Sequence, residues 1–484
     1  MRAMSTYLET LAEWNGREEV AEASIPLIGA LNRDKGVTVV LHSRSLVNKD
    51  AVRIIKTHRF ARRVSGEELS VRDTFPFLRA VSGLDIGSVK IDLARLHAAY
   101  DADDRGLSIE DFVADALSDI SGDNKPAGAE PRDVVLYGFG RIGRLVTRLL
   151  VEKAGAGTGL RLRAVVVRKG KGDDDLAKRA SLLRRDSVHG QFNGTIQIDE
   201  ANNLIIANGT AIQVIYAGSP DEIDYTDYGI SNAILVDNTG IWRDRAGLEK
   251  HLRPGIAKVL LTAPGKGDIP NIVHGVNHLG VDPAERVLSC ASCTTNAIVP
   301  TIKAMDDEFG LLRAHVETVH SYTNDQNLLD NYHPADRRGR SAPINMVLTA
   351  TGASSAVKKV LPDLEASISG NSIRVPTPDV SMAILSLQLK TSTTRDDVLA
   401  HLRRTSLEGP LSRCLDYTTA NDAVSSDFVG SRASSVIDAN AALVDGDQAM
   451  LYVWYDNEFG YSCQVVRVVQ SISGVEYPTY PLIG

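Results

Sequence analysis

The chain has 484 residues, of which 43% are apolar and 24% charged, so it is ordinary globular material with room for two to four domains. A net charge of -8 and a pI near 5.8 give no support to a nucleic-acid role, although a local basic pocket for an anionic metabolite stays compatible with them. Four cysteines (Cys290, Cys293, Cys414, Cys463) are too few for a disulfide scaffold and suit a reducing compartment, and no apolar run is long enough to span a bilayer. We expect a cytoplasmic protein; the first residues, MRAMSTYLETLAEWNG, do not read as a secretory signal.

Residues 1–120 form one region. TYLETLAEWN has the period of an amphipathic helix, and GVTVVLHS reads as a short strand. NKDAVRIIKTHRFARRV, VKIDLARLHAAYDADD and SIEDFVADALSDI read mostly as helices. Lys56, Arg59, Arg62 and Arg63 are expected on a solvated helix face, with a protein or anion docking face as the alternative. SGDNKPAGAEPRD then supplies a turn-rich linker at 121–133. No catalytic constellation is legible before it.

After the linker comes VVLYGFGRIGRLVTRLLVEKAG. VVLY suits a buried parallel strand. Gly138, Gly140 and Gly143, with Phe139, Arg141 and Ile142 between them, form G-x-G-x-x-G immediately before a helical period. The glycines permit a tight turn, close approach of backbone to a pyrophosphate, and helix–strand packing; the helix start offers free N–H groups to phosphate. A second strand, LRAVVVRKG, strengthens the nucleotide-binding reading over a merely structural turn. An acidic residue normally closes that second strand and holds the adenosine ribose, but here the end is Arg168-Lys169. Two cations tolerate or attract a 2′-phosphate, so NAD and NADP both stay open. LIIANG, AIQVIYAG, NAILVDNTG and KVLLTAPG read as further strands, with Thr239 and Gly240 in the loop after the third.

CASCTTNAIVPTIKAM reads as strand, turn and helix. Cys293 falls at the first helical turn, where orphan N–H groups and the positive end of the dipole are expected to lower a thiol's pKa. Cys290 belongs to the strand side and is expected to pack as a small hydrophobe. A redox pair is the alternative; a metal site is not expected, because no second cysteine pair completes a zinc set. In RAHVETVHSYT, His315 and His320 are an odd number of residues apart and face opposite sides of a strand. His320 lies at the carboxyl end and is the preferred base; an ordinary hydrogen-bonded histidine is the competing reading for each.

YGFGRIGR, ASCTTN, TVHSYTNDQ, TATGASSAVKKVLP, RVPTPDVS, SSDFVG and WYDNEFGYS together resemble the signature blocks of the glyceraldehyde-3-phosphate dehydrogenase family, in the family's order, over roughly 132–480. Residues 1–130 are not covered, so the chain is similar to that family with an added N-terminal region. The resemblance implies Cys293 as nucleophile and His320 as base. It implies Thr323 and Arg374 around the substrate's phosphate, and Ser292, Thr294, Thr351 and Gly352 near the attacking inorganic phosphate. It also implies Asn457 as the residue that orients the nicotinamide carboxamide, with Tyr461 packed nearby. The family's NAD-using members carry Asp where this chain has Arg168-Lys169, and EATG where it has DNTG.

The implied architecture is α/β: a Rossmann-type dinucleotide-binding domain over 131–292 and an α+β catalytic domain with an antiparallel or mixed sheet over 293–456. A C-terminal helix over 457–484 returns to the nucleotide domain, and a mostly helical extension with its linker occupies 1–130. The implied activity is reversible phosphorylating oxidation of glyceraldehyde 3-phosphate to 1,3-bisphosphoglycerate through a cysteine thioester, with NAD or NADP, in the glycolytic or the gluconeogenic direction. Erythrose 4-phosphate or another phosphorylated aldehyde is the alternative substrate. A nucleotide-sensing regulatory or scaffolding protein is the non-enzyme alternative. The loop DNYHPADRRGRSAPIN implies a homotetramer, and residues 1–130 are a candidate face for a protein partner.

Overall fold

The computed structural model describes residues 2–62, 67–126, 130–154, 159–349 and 351–482; Arg63 and part of the expected linker lie outside them. The chain forms two compact units: Met1–Pro131 with Glu152–Leu160 and Val475–Gly484, and Arg132–Val151 with Arg161–Gly474.

The first unit contains α1 (Arg2–Lys35), β1 (Thr38–Leu41), β2 (Arg44–Ser45), α2 (Ala51–Arg59), α3 (Val71–Gly83), β3 (Lys90–Asp92), α4 (Leu93–Asp101) and α5 (Ile109–Ala116). Its helices pack through Ile28, Leu31, Ile54, Phe77, Leu78, Val81, Leu96 and Phe112. The strand expected in GVTVVLHS is β1, but the expectation of a mostly helical region omitted the rest of a four-stranded sheet: β2, β1 and β3 are joined by a parallel C-terminal strand, Thr479–Tyr480. Strands of two to four residues are too short to display a two-residue period, and the fourth comes from the far end of the chain. VKIDLARLHAAYDADD divides at Asp92, a strand end whose buried carboxylate accepts from the N–H groups of Ala94, His42 and Ser43 and so starts α4. Helix α3 carries a Ser70/Asp73 capping box, a signal present in the sequence but not read there. In α1 the apolar residues of TYLETLAEWN do not reach a core: Tyr7, Leu8, Leu11 and Trp14 are exposed.

The second unit opens with β4 (Arg132–Tyr137), α6 (Arg141–Glu152), β5 (Leu160–Val167) and α7 (Asp175–Arg184). It continues with β6 (Ile196–Asp199), β7 (Leu204–Ala207), β8 (Thr210–Tyr216), β9 (Ala233–Asp237), β10 (Ile256–Leu261) and β11 (Val287–Ser289). The sheet order is β11-β10-β9-β4-β5-β8-β7-β6. Strands β4, β9, β10 and β11 run parallel, as do β5 and β8, and β6 and β7 are antiparallel additions at one edge. The chain moves outward from β4 in one direction and then in the other, so the crevice between β4 and β9 is the topological switch point where a dinucleotide binds in such folds. Near-continuous burial of VVLY and AILVD is what a strand covered on both faces requires.

The same unit continues with α8 (Cys293–Phe309), β12 (Leu311–Ser321), β13 (Val347–Thr349), α9 (Ala353–Val360), β14 (Ser367–Val375) and β15 (Ser381–Leu389). Next come α10 (Arg395–Leu407), β16 (Leu415–Thr418), β17 (Ser435–Asp438), β18 (Gln448–Tyr455) and α11 (Phe459–Ile472). The second sheet is mixed, in the order β13-β14-β12-β15-β18-β17-β16. Alternate residues of β15 are buried, and Ala383, Leu385 and Leu387 pack with Ile298, Ile302 and Met305 of α8 and Val398 and Leu402 of α10. This one-sided core anchors α8 and so fixes where Cys293 stands.

Candidate active site

Two of the G-x-G-x-x-G glycines are required by their surroundings. Gly138 has φ +95°, and a Cβ on Gly143 would stand 2.4 Å from the Gly138 carbonyl oxygen. A Cβ on Gly140 would meet nothing within 4 Å, so the backbone there faces open space directly before the first residue of α6. Exposed backbone and the free N–H groups of a helix start are the donor set a pyrophosphate needs, so these residues fit a dinucleotide. Phe139 is buried, and Gly138 N–H donates to Val166 at 2.9 Å. After β9, the Thr239 amide and hydroxyl both donate to Asp237, at 2.7 and 2.6 Å, shaping the loop that holds Gly240. Arg168 and Lys169 project as exposed residues beyond the end of β5.

Arg141 is used differently. Its guanidinium pairs with Asp186 at 3.2 Å and with Glu458. His189 stands 3.3 Å from Glu458 and 3.4 Å from Asp379. Burial pushes the Asp379 carboxyl up to about 8, and the charge of Asp456 adds to the effect. Asp456 accepts from the N–H groups of Gly430, Glu458 and Phe459. These contacts hold both neighbours of Asn457. The Asn457 Oδ1 in turn accepts from Ser321 and Ser381, at 2.8 and 2.9 Å, which fixes the direction of its amide.

Cys293 is the first residue of α8. The turn before it is built by its own sequence. Ser292 caps the helix by accepting from the Thr295 N–H at 3.0 Å. Asn296 Nδ2 donates to the carbonyls of Cys290 and Ser292, at 2.8 and 2.9 Å. Ala291 has φ +54°, and its carbonyl accepts from the Tyr461 hydroxyl at 2.9 Å. Cys290 is fully buried, and no disulfide joins the cysteines among the described residues.

The Cys293 Sγ lies 3.5 Å from His320 Nε2. His320 Nδ1 lies 2.7 Å from the Ser321 carbonyl, a contact that favours a proton on Nδ1, and Nε2 faces the sulfur. Strands β12 and β14 pair in parallel with His320 opposite Arg374, placing the guanidinium beside the imidazole. Arg374 Nη1 lies 2.9 Å from His320 Nδ1 and donates to the Ser321 carbonyl at 3.0 Å and to Thr323 at 3.3 Å. Arg374 Nε is buried without a hydrogen-bond partner, an orphan donor suited to an anionic oxygen. His315 lies partly exposed on the other face of β12, bonded to Ser369 at 2.9 Å.

The electrostatics correct one expectation. Burial pushes the Cys293 thiol up rather than down; Arg374 and the helix-start N–H groups oppose this without reversing it. Burial likewise lowers His320 to about 3, and the Arg374 charge lowers it further. Burial thus works against the charged form of both groups. The helix start is legible in the sequence, whereas the desolvation of this half-buried sulfur is not.

Thr294 bonds the Tyr455 hydroxyl at 3.1 Å, and the Tyr455 ring stands edge-on to His320 at 5.9 Å. Thr351 and Gly352 lie on the loop leaving β13, where Gly352 precedes α9. Tyr455 and Ser381 lie within WYDNEFGYS and RVPTPDVS but were not singled out there as site residues. Sequence reasoning also missed Arg338, whose charge acts on both Arg374 and His320. Arg338 pairs with Asp325 at 2.7 Å. The run DRRGR was its only signal.

Residues 132–245 match the family description "Glyceraldehyde 3-phosphate dehydrogenase, NAD binding domain", and residues 292–457 match "Glyceraldehyde 3-phosphate dehydrogenase, C-terminal domain". The chain is 56% identical over 460 residues to a glyceraldehyde-3-phosphate dehydrogenase-like protein of Pseudomonas aeruginosa, a match covering 94% of this chain and 100% of that protein. It is 40% identical to glyceraldehyde-3-phosphate dehydrogenase 1 of Bacillus subtilis and 39% identical to glyceraldehyde-3-phosphate dehydrogenase 2 of Nostoc sp.. Each of these covers 70% of this chain and 98% of the relative, whereas the Pseudomonas match extends into the N-terminal region.

Proposed function

The chain belongs to the glyceraldehyde-3-phosphate dehydrogenase family, and from that premise we propose how its residues divide the work. The enzyme oxidises glyceraldehyde 3-phosphate to 1,3-bisphosphoglycerate, reversibly, through a cysteine thioester and with an NAD(P)-type dinucleotide. The observation that carries the division of roles is the Cys293–His320 contact beside Arg374, whose Nε is unpartnered.

Cys293 is the nucleophile. Its proton passes to His320 Nε2 as sulfur attacks the aldehyde carbon, and His320 returns that proton to the former carbonyl oxygen, which becomes the hydroxyl of a hemithioacetal. The low proton affinity of buried His320 is raised once a negative sulfur or oxygen forms beside it, because opposite charges at this distance stabilise each other. His320 then takes the hydroxyl proton. The dinucleotide, when bound, supplies the acceptor for the hydride that leaves the same carbon. The resulting thioester keeps the acyl group activated; inorganic phosphate adds to its carbon and the C–S bond breaks to return the thiolate. Arg374 and Thr323 hold the phosphate the substrate carries. Ser292, Thr294, Thr351 and Gly352 border the place of the attacking phosphate. Gly138, Phe139, Gly140, Arg141, Ile142 and Gly143, with Thr239 and Gly240, form the dinucleotide cradle; Asn457 and Tyr461 position its nicotinamide end. Residues 131–292 serve as the dinucleotide-binding domain and 293–456 as the catalytic domain.

Dinucleotide reduction with glyceraldehyde 3-phosphate, measured with and without inorganic phosphate, tests this reading. Equal rates without phosphate, or no turnover, overturn it. Arg374→Ala is expected to raise KM for glyceraldehyde 3-phosphate ~10- to 100-fold, the value of a charge-assisted contact, while unphosphorylated glyceraldehyde changes less. The same variant is expected to shift alkylation of Cys293 to higher pH: Arg374 lowers the thiol's pKa, so its loss raises it further. An alkylation profile that stays in place removes Arg374 from the role of thiolate partner.

We read the protein as a cytoplasmic homo-oligomer, in the form of a tetramer. Leu328, Leu329, Tyr332, Ile344 and Met346 are each more than 70% exposed and close together along the chain, an apolar density that favours contact with another copy. Leu329→Asp with Tyr332→Asp is expected to yield a smaller species by light scattering; an unchanged mass counts against this surface. Exposed Tyr7, Leu8, Leu11 and Trp14 on α1 favour a protein partner for the N-terminal unit.

A further inference from the structure

We propose that this chain prefers NADP(H) to NAD(H), and that Arg168 and Lys169 take the 2′-phosphate of the adenosine ribose. The proposal rests on the dehydrogenase reading above and deepens it by choosing the dinucleotide.

Placement comes first. The Gly138 N–H donates to Val166 at 2.9 Å, so the phosphate-binding turn and the end of β5 are neighbours. A dinucleotide laid across the switch point sets its adenosine ribose at that strand end, where a carboxylate recognises the free 2′-hydroxyl of NAD and a cation accommodates the 2′-phosphate of NADP. The two residues that leave β5 are Arg168 and Lys169. A carboxylate in their place would repel a 2′-phosphate; a guanidinium and an ammonium attract it.

Two carboxylates of the loop after β5 are paired with cations of their own helix. Asp174 pairs with Lys178 at 2.8 Å. Asp175 pairs with Arg179 at 2.7 Å and accepts from the Gly170 N–H at 3.1 Å. At the end of β8, Glu222 accepts from the Gly218 N–H at 2.9 Å; at the end of β9, Asp237 is used by Thr239. Among the described residues, Arg168, Lys169 and Lys171 make no ion pair, and Asp173 is the one carboxylate of the loop in the same condition. Within that loop three unpaired cations face one unpaired anion, while Asp221 and Glu222, hydrogen-bonded but paired with no cation, keep their charge at the end of β8.

The cations are also directed. Arg179 donates to the Arg168 carbonyl at 2.8 Å, which fixes the backbone there. The Lys169 ammonium stands 5.6 Å from the centroid of the Tyr216 ring, held over the next strand end by a cation–π contact. A solvated surface lysine needs no such seat.

The test is calorimetric binding of NADP+, NAD+, adenosine 2′,5′-bisphosphate and 5′-AMP to the full chain, with kcat/KM for both dinucleotides. We expect kcat/KM to favour NADP+ by at least ~10-fold, and adenosine 2′,5′-bisphosphate to bind at least ~10-fold tighter than 5′-AMP, as one or two charge-assisted contacts supply. Arg168→Ala and Lys169→Asp should each reduce the NADP+/NAD+ ratio ~10- to 100-fold, mainly through KM. The nucleotide comparison needs no variant and decides the matter if a variant does not fold. Equal affinity for the two adenosine nucleotides, together with a kcat/KM for NAD+ equal to or above that for NADP+, overturns the preference while leaving the dehydrogenase reading standing. Failure to bind or reduce either dinucleotide overturns that reading and the preference with it.

Discussion

Cys293→Ser is expected to lower oxidation of glyceraldehyde 3-phosphate at least ~10³-fold, the scale on which loss of a covalent nucleophile acts. The substitution removes one property and keeps the shape. A serine hydroxyl fits the first turn of α8 and leaves the Ser292 cap and the Asn296 bonds in place. Its proton, however, is far harder to remove, and burial already works against the charged form at this position, as the raised thiol shows. An oxygen ester formed in its place would also be a poorer acyl donor than a thioester. Acyl-enzyme trapped by rapid quench should disappear, while dinucleotide affinity by calorimetry should stay within about twofold, because the cradle at Gly138–Gly143 has no part in the change. Oxidation at the parent rate would remove Cys293 from the centre of the chemistry. Loss of dinucleotide binding would mean that the residue acts through folding.

His320→Asn is expected to cost ~10²- to 10⁴-fold in kcat, the usual contribution of a positioned general base. The variant retains a polar side chain at the end of β12 but cannot accept the proton at Nε2. Burial, and then the Arg374 charge, lower the His320 pKa to about 3 and so favour the neutral imidazole. Its own titration therefore does not shape the rate near neutrality. The thiol does: its pKa is raised, the thiolate fraction increases with pH, and iodoacetamide alkylation of the wild-type enzyme should accelerate through the alkaline range. In His320→Asn the catalytic deficit should narrow as pH rises, because hydroxide and solvent replace part of the lost base. A deficit that is the same at every pH would assign His320 a positioning role instead.

Some of this was legible because it is written in local sequence. The glycines between VVLY and RLVTRLLVE fix a strand–turn–helix through excluded volume alone: a Cβ on Gly143 would overlap the Gly138 carbonyl. Ser292 and Asn296 lie within one helical turn of Cys293, so SCTTN specifies its own helix start. The odd spacing of His315 and His320 separated them on a strand, and β12 buries His320 while leaving His315 partly exposed. In the N-terminal unit the same approach found helices, since their signal repeats every turn, and missed the sheet, whose fourth strand arrives from Thr479–Tyr480.

Local sequence is enough for the phosphate-binding turn, the helix start beneath Cys293, the absence of a carboxylate at Arg168-Lys169, and the family. The tertiary fold was needed to place Arg374 opposite His320, to bring Arg338 and Tyr455 to the same site, and to set burial against a charged thiol. The reason is that strand register and burial are set by contacts between residues far apart in the chain. Desolvation depends on everything that surrounds an atom, whereas a helix cap depends on the few residues beside it.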